Sequence, residues 1–212
     1  MRYSLTATLG WLAVAVGALS FFAQYRRLVK MGLDGVSLST WLLFGLNGGL
    51  WIFYGALYAH STEVVVGSLV CLPFQFAVVM RLSPWRHYRA TLGALGVFVG
   101  CCLMPGFFGG WQACAYGAGV AMILLRLPQL FELTRSKNAS GVSSISWFVV
   151  AASTGLWVLY FGALHLWAPM AAYASSGLLS VVVGIMAVWR HHQHHSQTTF
   201  NASPVFLGDV SS

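Results

Sequence analysis

Two triplets of side chains carry what chemistry this sequence offers. Asn47, Trp51 and Tyr54 are spaced i, i+4, i+7, and Ser153, Trp157 and Tyr160 repeat that spacing. On a helix, residues so spaced share one face. An indole presents a flat apolar surface and a single N–H donor; an amide or hydroxyl one turn away adds hydrogen-bonding capacity. Such a set can stack on and hydrogen-bond a small polar solute, and it holds no group suited to bond cleavage. The competing reading makes the tryptophans interfacial anchors and Asn47 an interhelical hydrogen bond. Ser68, Cys71 and Gln75 form a second polar stripe, and Ser175 repeats Ser68 at a displacement of 107 residues. Asn47 is the most polar residue in the middle of an apolar stretch, a functional candidate by default.

Other polar groups argue mainly by their positions. Asp34, Glu63 and Glu132 fall near loop ends, and no carboxylate sits in the middle of an apolar segment. Proton-coupled carriers use ionisable groups at that depth, so passive facilitation is favoured over proton coupling. Arg126 precedes Pro128 near a helix end, where a long cationic side chain is expected to snorkel to the aqueous surface; the alternative is that it meets an anionic group of a substrate. There is no Ser/His/Asp set, no metal-ligand spacing and no paired carboxylate, so neither enzyme activity nor a cofactor or bound metal is expected. Cys71, Cys101, Cys102 and Cys114 have no disulfide framework and read as small core residues.

The elements that position these residues follow from composition. Of 212 residues, 58% are hydrophobic and 7% charged, with a mean hydropathy of +0.75. Soluble domains carry about 25% charge, so this chain cannot cover a water-facing surface, and its solvent must be mostly lipid. A spanning helix needs roughly 20 apolar residues. Seven helices are predicted, over Thr6–Gln24, Ser39–Tyr58, Val64–Leu82, Ala90–Phe108, Gln112–Leu130, Ile145–Leu164 and Pro169–Trp189. The first is expected to be retained rather than cleaved as a signal.

Basic residues orient this arrangement. Arg26, Arg27, Lys30, Arg81, Arg86, Arg89, Arg126, Arg135, Lys137 and Arg190 all fall on one side, and only Arg2 on the other: ten of the eleven Lys and Arg residues. The positive-inside rule then places the C-terminus in the cytoplasm and the N-terminus outside, most simply in the plasma (inner) membrane. The same placement explains the net charge of +7 without nucleic acid as a partner. The partners expected are lipid and a small polar solute; self-association is left open. From His191 the chain turns polar and loses periodicity, which predicts a disordered, His-rich cytoplasmic tail over 191–212. The sequons at Asn138 and Asn201 fall on the cytoplasmic side and are expected to stay unmodified.

The most specific signal is internal repetition. Gly35-Val36-Ser37, Trp41, Gly49-Leu50-Trp51 and Tyr54 recur 106 residues later as Gly141-Val142-Ser143, Trp147, Gly155-Leu156-Trp157 and Tyr160. Gln24 pairs with Gln129. The chain divides into a three-helix unit (1–82), a linker helix (83–111), a second three-helix unit (112–190) and the tail. Each unit has an odd number of spans, so the linker helix is what lets both copies point the same way. The fold class expected is an all-α integral membrane protein with seven transmembrane helices as 3+1+3 parallel repeats. Transporters place substrate near the midplane at such repeat interfaces.

The segment Arg126-Leu-Pro-Gln-Leu through Gly141-Val-Ser resembles the PQ-loop motif, with Pro-Gln at a helix end followed by a short basic Ser/Gly loop. With the Trp-x-x-Tyr motifs, the region from Thr6 to Arg190 is similar to the PQ-loop superfamily, and its layout to the SWEET-type sugar transporters. That resemblance implies two triple-helix bundles around a central path and alternating access about the motif. It makes Asn47, Trp51, Ser68, Ser153, Trp157 and Ser175 the expected substrate-binding residues, and Gln24, Pro128 and Gln129 the hinge or gate. The first copy departs from the motif, reading Ala23-Gln24. The asparagines that the SWEET pattern uses on its third and seventh helices are replaced near Gly67 and Ala174. The function implied is a facilitator of a small polar solute, with a sugar as first guess. An amino-acid or other metabolite carrier, or a receptor or accessory subunit on this fold, is the alternative.

Overall fold

In lipid a helix is favoured because it satisfies backbone polar groups within its own segment. The computed structural model describes residues 2–135 and 141–201, and side chains over 5–135 and 141–193. Among these residues there are helices and turns but no strands: α1 (Arg2–Met31), α2 (Leu38–Tyr54), α3 (Thr62–Arg81), α4 (Tyr88–Phe98), α5 (Met104–Leu124), α6 (Leu127–Arg135), α7 (Ser144–Ala163) and α8 (Trp167–Asn201). A π-helical turn at Gly55–Ala59 extends α2, and another at Val99–Leu103 joins α4 to α5.

Six helical stretches are long and apolar enough to cross a bilayer: Leu5–Met31, Leu38–Ala59, Thr62–Arg81, Tyr88–Arg135, Ser144–Ala163 and Trp167–Gln193. Their outer faces are apolar, with Phe76 62%, Leu178 72% and Phe107 86% exposed. Polar side chains such as Thr40, Asn47, Gln75 and Gln129 lie inside. That reversal of the water-soluble pattern makes the chain an integral membrane protein.

The stretch Tyr88–Arg135 is broken twice. At Gly110 the backbone is non-helical, with φ 70° and ψ −163°, a conformation that favours glycine. The chain doubles back there, so that Gly106 meets Cys114 and Gly117 meets the carbonyl of Cys101. A side chain on Gly117 would overlap that carbonyl; its absence lets two backbones touch, as small residues do between membrane helices. The second break, at Leu125–Arg126, separates α5 from α6 where the sequence predicts one helix over Gln112–Leu130. Pro128 lacks an N–H and its ring crowds the preceding turn. The Leu125 carbonyl, at the break between the two helices, accepts from the Thr40 hydroxyl at 2.6 Å. At the matching place α1 runs unbroken through Ala23-Gln24.

Helices α1 and α2 both pack on α3, and α5 and α7 both pack on α8. Across the molecule α1 lies against α7 and α2 against α5, while α4 covers α2. Two glutamines fasten the halves. Gln24 donates to the Gly141 carbonyl (2.9 Å) and accepts from the Ser143 amide (2.9 Å). Gln129 donates to the Gly35 carbonyl (2.5 Å) and accepts from the Ser37 amide (3.0 Å). Ser37 and Ser143 in turn cap α2 and α7 through their hydroxyls.

The last helix continues through the histidines that follow Arg190, as far as Asn201. The Arg190 guanidinium reaches the carbonyls of Leu133 and Thr134, tying α8 to α6. Lys137, Asn138 and residues 202–212 lie outside the described residues. The four cysteines are free; Cys71, Cys102 and Cys114 are buried and Cys101 is half-buried.

Candidate solute-binding cavity

Along α2, the residues Trp41, Phe44, Asn47, Trp51 and Tyr54 climb one inward face at helical spacing. The equivalent face of α7 carries Trp147, Ser153, Trp157 and Tyr160. Where these faces meet α1, α3, α5 and α8, a cavity of about 100 Å³ is left.

Aromatic layers bound it. Trp51 and Trp157 both pack on Phe161 and Tyr173: Trp51 at 6.2 and 5.4 Å, Trp157 at 5.5 and 5.8 Å between ring centroids. Each tryptophan also meets its own tyrosine edge-on, Tyr54 at 5.2 Å and Tyr160 at 5.3 Å. About two turns along, Phe21, Trp41, Phe44 and Trp147 form a second layer, with centroids 5.5 to 6.1 Å apart. Beyond the first layer the Tyr160 hydroxyl bonds to Ser61 (2.7 Å) and Glu63 (3.2 Å), joining α7 to the start of α3.

Between the layers the lining is mostly apolar, with a few polar side chains among it. Among the described residues Asn47, 2% exposed, has no hydrogen-bond partner on either side-chain atom, and the Trp51 Nε1, Gln75 Oε1 and Ser176 Oγ are also buried without one. All four residues line the cavity. Buried polar groups are normally paired, and an unpaired one costs about 1–3 kcal/mol. Four such residues converge on this one space.

Asn47, Trp51, Ser68, Ser153 and Trp157 line this cavity; Ser175 does not. The Ser175 hydroxyl is spent on the carbonyls of Ala171 and Ala172, each at 3.0 Å. Its neighbour Ser176 faces inward instead, because adjacent residues on a helix point about 100° apart. Ser153 is already engaged, donating to the Ala13 carbonyl at 2.9 Å. Gln24, Pro128 and Gln129 lie outside the cavity lining, at the loop end of the molecule. Gly67, where the SWEET pattern has asparagine, lies against the Trp157 ring.

Arg126 corrects the sequence reading. It does not snorkel: it is 1% exposed and lines the cavity. The break at Leu125–Arg126 takes it off the regular spiral of α5. Its Nε donates to the Ser180 hydroxyl (3.0 Å), its Nη1 to the Met122 carbonyl (2.7 Å), and the guanidinium carbon lies 5.3 Å from the Phe44 ring centroid. Tyr173 and Ser176 were missed by sequence reasoning, and only their place on the inward face of α8 reveals them.

Fold and cavity together define a helical integral membrane protein with an internal chamber into which a few polar side chains project. Comparison of the chain with protein-family models, curated proteins and solved structures finds no match.

Proposed function

We propose that this protein is a facilitator that carries a small polar solute across the membrane by alternating access. The observation that carries the reading is the central cavity, in which Asn47, Trp51, Gln75 and Ser176 present buried polar groups without partners. A structural core would pair such groups; a transport site leaves them for its cargo. On this reading the chain crosses the membrane seven times, the stretch Tyr88–Arg135 contributing two crossings that meet at Gly110. It forms 3+1+3 parallel repeats with the N-terminus outside and the C-terminus in the cytoplasm. The exchange of contacts between α1–α7 and α2–α5 supports a pseudo-twofold axis, as do the reciprocal glutamines. The resemblance of the second half to the PQ-loop motif makes a sugar the first solute class to try. The Pro128 break is the hinge.

The test is uptake into liposomes holding the purified protein, screened with labelled sugars and amino acids. Saturable, protein-dependent flux is expected. Binding without flux would make the protein a receptor or accessory subunit on this fold.

A further inference from the structure

A buried arginine is the most expensive residue in the cavity, and among the described residues no carboxylate neutralises it. The sequence has four acidic residues, Asp34, Glu63, Glu132 and Asp209; the first three are among the described residues, and none of those three lines the chamber. Glu63 is held beyond the Trp51/Trp157 layer by Ser61 and Tyr160. Among the described residues Arg126 is met by a hydroxyl, a carbonyl and a ring, and by no carboxylate. Those contacts use two of the five N–H donors of a guanidinium.

A cation in low dielectric without a counter-charge is strongly unfavourable, and such residues persist where function needs them. Arginine also stays protonated and presents a planar fork that matches a carboxylate. Under the register that pairs Gln24 with Gln129, the position matching Arg126 is Phe21. Phe21 also packs against Phe44, at 5.5 Å. The chamber is therefore near-symmetric in shape and one-sided in charge.

Resting on the carrier reading above, we propose that the solute carries a carboxylate, which pairs with Arg126 while its polar body lies against Asn47, Gln75 and Ser176 between the two aromatic layers. Sugar acids and amino acids both have this chemistry, and an unmodified sugar lacks it.

The experiment uses matched probes on purified full-length protein: glucuronate against glucose, L-alanine against L-alaninamide, and sodium chloride alone. Binding is read by thermal shift and by calorimetry, independently of flux. In at least one pair the carboxylate member is expected to bind tenfold or more tightly. Arg126→Gln should abolish that preference and Arg126→Lys retain part of it. The comparison within each pair needs no variant, so it decides the matter even where Arg126→Gln does not fold. Equal or tighter binding of the uncharged members overturns the inference, as does carboxylate binding undiminished in a folded Arg126→Gln protein. Stabilisation by chloride with no competition from either carboxylate overturns it too, the anion then being inorganic. Carboxylate binding without flux would sink the carrier and leave this inference standing; flux of glucose with no carboxylate preference would do the reverse.

Discussion

Gln24 and Gln129 are reciprocal: each sits at the loop end of one half of the protein and holds the loop of the other, through one donated and one accepted bond. The two loops also touch directly, Gly141 donating to the Asp34 carbonyl at 3.1 Å. Removing either amide strands a buried backbone N–H and C=O. We predict that Gln24→Ala and Gln129→Ala each cost about 2 kcal/mol, and that the double variant is non-additive because the loops share a contact. Thermal unfolding of the four proteins in one detergent checks this; strictly additive losses would mean that the loops do not act together.

A second prediction concerns the unpartnered amide. Asn47 has no hydrogen-bond partner among the described residues, so Asn47→Leu should leave the solute-free protein as stable as before, or more so. The same change should weaken solute binding. A stabilised protein with undiminished affinity would remove Asn47 from the binding site, and a destabilised one would reveal a partner the amide does have.

The tryptophans form the chamber wall. Trp51→Ala and Trp157→Ala should each weaken solute binding by about 1–3 kcal/mol, the value of burying a large side chain. Their shared contacts with Phe161 and Tyr173 mean that stability will fall as well. Affinity and melting temperature must therefore be read on the same purified variants. Normal affinity with reduced stability would make them packing residues only.

The sequence made the repeat legible because tryptophan is rare and two pairs of them recur in register. Trp41 with Trp147 and Trp51 with Trp157 occupy matching depths in the structure. It placed a helix boundary between Phe108 and Gln112, where Gly110 leaves the helical region. What it could not give was direction around a helix. A one-residue slip turned Ser175 away and brought Ser176 in. A two-residue break carried Arg126, read as snorkelling, into the interior. Periodicity reports a face only while the helix stays regular, and the residues around Pro128 are where it does not.

Pro128 supplies a fourth prediction. With alanine there, α5 and α6 should join into one rod, as α1 does through Ala23. Pro128→Ala is expected to slow flux several-fold while the melting temperature holds or rises. Unchanged turnover in vesicles would remove the hinge.

The close contact of Gly117 with the Cys101 carbonyl gives a prediction independent of transport. Gly117→Val should destabilise by at least about 2 kcal/mol, because backbone cannot yield as a side-chain tip does. Gly93, with open space around it, is the control: Gly93→Val should change stability little. Equal effects at the two sites would show that the turn at Gly110 does not bring these backbones together.

The pairing of Phe21 with Arg126 bears on ancestry. Two identical copies of the second half, assembled about an axis, would set two guanidinium ions facing each other across one protein-walled chamber. Their repulsion would have nothing to screen it. Fusing the copies into a single polypeptide frees each to diverge, so that one keeps the cation and the other a benzene ring. On the repeat and carrier readings proposed above, duplication would do more than save a dimerisation step: it would let a chamber of nearly twofold shape tell one end of its cargo from the other.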